Sequence, residues 1–124
     1  MLDGNQNPNL RTLIAHVPTL GAKVEHVPEA AALITGGNTT HYWEDSGIVG
    51  RLFEKPLGIE GIYAWDVWLV YKPGARWDDT VPPKPDFAMQ QLGSSRANEV
   101  MPRLDSKEFS EVVNNYLAGL EKLR

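Results

Sequence analysis

The sequence predicts an α/β protein, a mixed sheet with helices on its faces, and three observations carry that expectation. Residues 62–71, IYAWDVWLVY, hold one charged side chain, Asp66, among apolar and aromatic residues. In a strand, Tyr63, Trp65, Val67, Leu69 and Tyr71 point one way, and Ile62, Ala64, Asp66, Trp68 and Val70 the other. Both faces are apolar, which describes an interior strand covered on two sides. Two weaker strand-like runs lie earlier, with an alanine-rich helical stretch between them, and helices between strands favour parallel pairing by right-handed crossovers. Lastly, Phe109, Val112, Val113, Tyr116, Leu117, Leu120 and Leu123 recur at helical spacing along one face.

The elements follow in order. Residues 1–9 are polar and read as a mobile lead-in to a single domain over 10–124. Residues 10–17, LRTLIAHV, read as a strand ended by Pro18. After a loop, Pro28 suits the first turn of a helix over 28–34, stopped by Gly36-Gly37. Residues 39–43 read as a second strand. Asp45 or Ser46 can cap a helix over 46–55 whose buried stripe is Val49, Leu52 and Phe53, with Pro56 closing it. The central strand then leads into Lys72-Pro73-Gly74-Ala75, where Pro and Gly fit the middle of a type II turn. Arg76-Trp77 can return antiparallel. Residues 78–85 carry three prolines and read as extended and exposed. Asp86 can cap a short helix over 87–92, and 93–98 reads as a loop. Asp105 and Glu108 make a capping-box variant at the start of the C-terminal helix, and Lys122 and Arg124 complement the far end of its dipole.

Composition narrows the function classes. A chain of 124 residues can bury roughly two-thirds of its unfolded surface, enough for a core without staples. The net charge of −4 and the lack of any basic run argue against nucleic acid as a partner. There is no cysteine, so disulfides, thiolate metal sites and thiol chemistry are excluded for these residues. The first residues, MLDGNQNPNL, lack the basic start and apolar core of a signal peptide, and no apolar run approaches the roughly 20 residues of a membrane span. A soluble, cytoplasmic protein away from membranes is the default expectation, with export of a longer form left open.

The residues 15–33 (AHVPTLGAKVEHVPEAAAL), 40–53 (THYWEDSGIVGRLF) and 63–77 (YAWDVWLVYKPGARW) together resemble the later part of a thioredoxin-like domain, as in a group of bacterial thioredoxin-like proteins. The resemblance covers nearly everything from Leu10 onward, and its distinctive part is the aromatic-aspartate strand with its Pro-Gly turn. Two departures limit what it implies. Such domains open with a strand and helix carrying Cys-x-x-Cys, whereas here only a polar tail precedes Leu10. They also place a cis-proline before the hairpin's first strand, where this chain has Tyr63-Ala64. None of the family's redox residues transfers to a position here, and with no thiol to attack, thiol–disulfide exchange is excluded. Without the opening unit, the resemblance implies either that 10–17 and 65–71 pair directly or that a sheet edge stays exposed, and an exposed edge suggests a homodimer or a sheet completed by a partner.

Four residues stand out as candidate ligand contacts: His41, Glu44, Asp45 and Asp66. If 39–43 runs parallel to its neighbour, Glu44 and Asp45 sit at a strand's C-terminal end beside a helix start, where open α/β sheets bind ligands. The competing and commoner reading is an ordinary helix cap. Asp66 is costly inside an aromatic strand unless paired or protonated, and suits either a general acid or base or a structural hydrogen bond. A hydrogen bond between Asp66 and His41 would favour a site. His16, His26 and His41 match no compact metal-ligand spacing, and no metal is expected. The aromatic residues could stack a flat ligand but suit a core better. Residues 81–87, VPPKPDF, could dock on another protein or cover their own domain. No phosphate loop, nucleophile elbow or dinucleotide fingerprint is present, so no cofactor is expected.

The expected function is a non-catalytic binding or interaction module with no redox activity. The alternative is a small-molecule-binding protein or cysteine-free enzyme using His41, Glu44 and Asp66. A third expectation is a piece of a longer chain whose earlier part held the chemistry.

Overall fold

The structure, a computed structural model, describes residues 7–16, 39–77 and 81–122, with side chains through residue 120. The expected helix over 28–34, His26, and residues 1–6 and 123–124 lie outside the described residues. Within them the chain is α/β, in the order Thr12–His16 (β1), Thr39–Trp43 (β2), Ile48–Leu52 (α1), Val67–Val70 (β3), Phe87–Gln90 (β4), Ser95–Val100 (α2) and Ser106–Lys122 (α3).

The single mixed sheet is corrected to two small ones. β1 and β2 pair in parallel, with Ile14 opposite His41 and His16 opposite Trp43. β3 and β4 pair antiparallel, with Val67 opposite Gln90 and Val70 opposite Phe87. Among the described residues no ladder joins the two pairs. The parallel relation of the first two strands is as expected; β3 instead takes a partner from farther along the chain.

The central strand is shorter than its composition suggests, because a non-local bond takes its first half. The Ala64 N–H donates to the Gly50 carbonyl at 3.1 Å, and the Tyr63 ring lies on Gly50. That anchors 63–65 to α1, and only Val67–Val70 remains in the ladder. The Pro73-Gly74 turn forms as expected, with Gly74 at φ 92°, the positive value its position in a type II turn requires. Arg76-Trp77 does not return as a strand. Trp77 meets Phe53 edge to face at 5.4 Å, which draws it toward the chain ahead of β3. The return comes at Phe87–Gln90, where a helix was expected. Asp86 sets its start, donating its N–H to Val70 O at 2.9 Å and accepting the Lys72 N–H on its carboxylate at 2.7 Å.

Both faces of β3–β4 are covered, as the two apolar faces of the central run predict. Val67, Leu69 and Ala88 pack against a core of Leu57, Ile59, Ala64, Ala97 and Met101. Trp68, Val70 and Phe87 pack with Met89 against Phe109, Val113 and Leu117 of α3. The two-stranded sheet is thus the middle layer between two cores. Leu10 also reaches the α3 side, after a turn in which the Leu10 N–H donates to Asn7 O at 3.1 Å.

The helices follow from their caps. The Glu108 N–H donates to Asp105 Oδ1 at 3.0 Å, half of the expected capping box, and buried Phe109, Val113 and Leu117 form the stripe. α2 was expected to be loop. Its signal is Ser94, whose Oγ accepts the Ala97 N–H, and Ala97 is wholly buried. α1 ends earlier than expected, its chain continuing as turns to Gly58, which sits at φ 72°.

The proline-rich segment lies on its own protein: Pro82 is buried, and the Tyr71 hydroxyl donates to Pro83 O at 2.7 Å. Burial, with the Asp86 carboxylate as a smaller cause, pushes the Tyr71 phenol up to about 12. A folded-state value above the unfolded one favours folding below the ordinary value near 10, and that contribution fades as pH rises toward 12. We expect a phenolate absorbance step near pH 12 that disappears in Tyr71→Phe. Urea melts of that variant should show a loss of about 1 kcal/mol at neutral pH, the net worth of one hydrogen bond.

Candidate functional site

The β2–α1 junction gathers most of the sequence-predicted residues. Glu44 follows β2 directly, and its N–H donates to His16 O at 2.9 Å, extending the parallel ladder past Trp43. Its carboxylate turns back onto the start of α1. Oε1 accepts the Ser46 N–H at 2.9 Å and the Ser46 hydroxyl, and Oε2 accepts the Val49 N–H at 3.3 Å. The Ser46 hydroxyl bond, helped by the Val49, Ser46 and Gly47 amides and opposed by partial burial, holds this carboxyl below its usual range. Gly47, the formal N-cap, has no side chain to cap with and sits at φ 74°. Glu44 therefore shares the capping with Ser46, whose Oγ accepts the Ile48 N–H at 3.4 Å, while Asp45, the other expected cap, makes no such bond among the described residues. Asp45 is exposed beside it.

His41 projects from β2 on the face it shares with His16, Ile14 and Trp43. His16 Nε2 and His41 Nδ1 are 2.9 Å apart, ring centres 5.2 Å apart and planes 20° apart. The centres are farther apart than the nitrogens by about the width of an imidazole, so the rings meet end to end. This is an in-line N–H···N bond in which one ring donates and the other accepts. It is not a chelate: two metal–nitrogen bonds of about 2.0–2.1 Å in line need about 4 Å between the nitrogens. Burial, and then the charge of His41, lower the His16 imidazole below its ordinary value. No group of three or more His, Cys, Asp or Glu side chains gathers as a metal site among the described residues.

Asp66 stands apart, at the bend entering β3. Its backbone carbonyl accepts the Gln91 N–H at 3.0 Å. Among the described residues no donor reaches its carboxylate, and none of its bonds goes to His41. Burial pushes its carboxyl up. With no described donor beside it, the partial burial of Asp66 disfavours its ionised form.

Two further groups matter as much: Tyr63, considered from sequence only as one of the aromatics that could stack a ligand or fill a core, and Gln90, which the sequence reading missed. Tyr63 packs on Gly50, and its phenol is raised by burial first and the Glu44 charge second, against smaller opposing effects of Arg51 and the Gly50 amide. Gln90 is fully buried, at 0% exposure, and every polar atom of its side chain is bonded. Its Nε2 donates to Asn98 Oδ1 at 2.8 Å and Met101 O at 3.2 Å, and its Oε1 accepts the Leu92 N–H at 2.8 Å. Its backbone accepts from Leu104 and donates to Pro102 O, forming a short parallel bridge with the chain ahead of α3.

The remaining exposed feature is the β1–β2 pair. The Glu44-to-His16 bond sets the phase of the ladder. In a parallel ladder, Ile14 and His16 turn their peptide groups toward β2, while Leu13 and Ala15 turn theirs outward. Leu13 is 62% exposed and Tyr42 54%, and both side chains lie on the face opposite the histidines. No described helix is long and apolar enough to cross a membrane. No protein-family model, no curated protein and no solved structure matches the chain.

Proposed function

We propose that the chain is a non-catalytic interaction module that works as a homodimer, β1 of one copy pairing antiparallel with β1 of the other. The observation that carries this reading is the outward edge at Leu13 and Ala15. An open edge is a template for another strand, and proteins blunt it with charge, proline or bulges. β1, Thr-Leu-Ile-Ala-His, has neither proline nor a Lys, Arg, Asp or Glu. A two-fold axis beside Ile14 sets Leu13 opposite the second copy's Ala15, and pairs each outward N–H and C=O in a self-complementary contact. Parallel pairs are ordinarily covered on both faces, whereas Leu13 and Tyr42 leave one face of this pair open.

The chemistry of the junction agrees with a module rather than an enzyme. Glu44 is engaged in the helix cap and His41 in the bond to His16. With no cysteine, the module has no thiol chemistry. Descent from a thioredoxin-like domain is part of the proposal. The parallel β1–β2 pair is its support, and the dimer does not depend on it.

Light scattering tests the reading. The wild type should show twice the 13.8 kDa chain mass, and Leu13→Lys should halve it with an unchanged circular dichroism spectrum. Leu13 is exposed, so the substitution itself should cost no more than about 0.5 kcal/mol of folding stability. A wild type that stays monomeric at its highest soluble concentration would sink the proposal.

A further inference from the structure

His16 and His41 are diagonal neighbours across the parallel ladder, since His41 pairs with Ile14 and His16 with Trp43. Their end-to-end bond needs one ring nitrogen with a proton and one without. A first added proton goes to a distal nitrogen and leaves the bond in place, now charge-assisted. A second puts two N–H groups head to head at a separation of 2.9 Å, where no hydrogen bond is left and two positive charges meet. We propose that the His16–His41 pair is an acid-opened clasp, tying β1 to β2 at neutral pH and releasing them when both rings are protonated.

Among the described residues, no carboxylate shares the strand face that carries the two rings. On that face β1 contributes Thr12 and Ile14, and β2 contributes Thr39 and Trp43, none of them ionisable. Arg11, ahead of β1, is exposed, and the Glu44 carboxylate is turned onto α1. Asp45 and Arg51 are exposed beyond the strand end. Among the described charges, only that of His41 acts on His16, and it adds to burial in lowering the imidazole. The sign follows. With the folded value below the ordinary 6.5, the unfolded chain binds more protons just beneath that pH, so stability falls as the medium is acidified through the window. The clasp lies within one copy and does not depend on self-association.

The test is a ring-nitrogen NMR titration of the wild type and of Leu13→Lys, from about pH 8 to about pH 4.5 across the ordinary histidine range. We expect the pair to protonate in two separated steps in both proteins. Backbone amides of β1 and β2 should move with the second step and stay still through the first. His41→Gln keeps a hydrogen-bonding side chain without the titration, and His16→Gln serves if it misfolds. On acidification from about pH 7 to about pH 5, the wild type should lose at least about 3 °C more in melting temperature than the Gln variant. Independent single-step titrations at the ordinary value, or an equal acid loss in the Gln variant, would overturn the clasp. Failure of dimerisation alone would leave both readouts intact in the monomer.

Discussion

Gln90→Leu is expected to lose about 3 kcal/mol, a large share of the roughly 5–15 kcal/mol that holds a domain of this size together. Leucine fills the space but removes one acceptor and two donated bonds from a site with no water access. The Met101 carbonyl and the Leu92 N–H are then unpaired in or near the core, whereas exposed Asn98 can turn to solvent. Gln90→Glu separates hydrogen bonding from packing. It keeps the acceptor for Leu92 but points a carboxylate at Met101 O, so it should be at least as damaging at neutral pH. Burial raises the new carboxyl's pKa, so acid should restore its donor and recover part of the loss. Urea melts of both variants at neutral and mildly acidic pH check this. Equal melts for wild type and Gln90→Leu would mean that the buried amide contributes nothing net.

Gly50→Ala should destabilise by about 1–2 kcal/mol, although alanine is the better helix former by up to about 1 kcal/mol. An added Cβ would lie 2.5, 2.6 and 2.9 Å from three carbons of the Tyr63 ring, closer than real contacts allow. The ring cannot simply withdraw, because the next residue is pinned by the Ala64 N–H to Gly50 O bond. Relief means lifting 63–65 off α1. Tyr63→Ala removes the obstacle, so Gly50→Ala should be neutral or favourable in that background. The double-mutant cycle should return a coupling above about 1 kcal/mol. Additive effects would mean that the ring had room to move.

These two sites also show why part of the molecule could be read from sequence and part could not. Asp105, Glu108 and the spacing from Phe109 to Leu117 are local signals, and α3 follows from them. Thr39–Trp43 likewise appears where its residues place it. Phe87–Gln90 has helix-favouring Ala, Met and Gln, and only the cover of β3–β4 on both sides makes it a strand. Gln90 then alternates onto the Ala88 face and into a core, a position invisible while the run is read as a helix. Ser94 did carry a readable cap signal, obscured by the polar residues around it. The histidine pair needs the parallel register, because a separation of 25 residues is no motif by itself. At Glu44 the sequence supported a ligand contact, with the cap expected from Asp45 or Ser46, and the bonds it makes are those of a cap. Asp66 remains the candidate whose carboxylate no described donor engages.

The middle layer has a consequence for how the fold opens. Each residue of β3–β4 faces one core or the other, and its neighbour in sequence faces the opposite one. Neither α2 nor α3 has a private hydrophobic interior, since both lean on the same two short strands. Detaching either helix bares one side of a sheet too small to persist half-covered. Partial opening therefore gains little before the whole is lost. The two cores behave as one cooperative unit, and the slowest-exchanging amides belong to the shared strands rather than to the long helix.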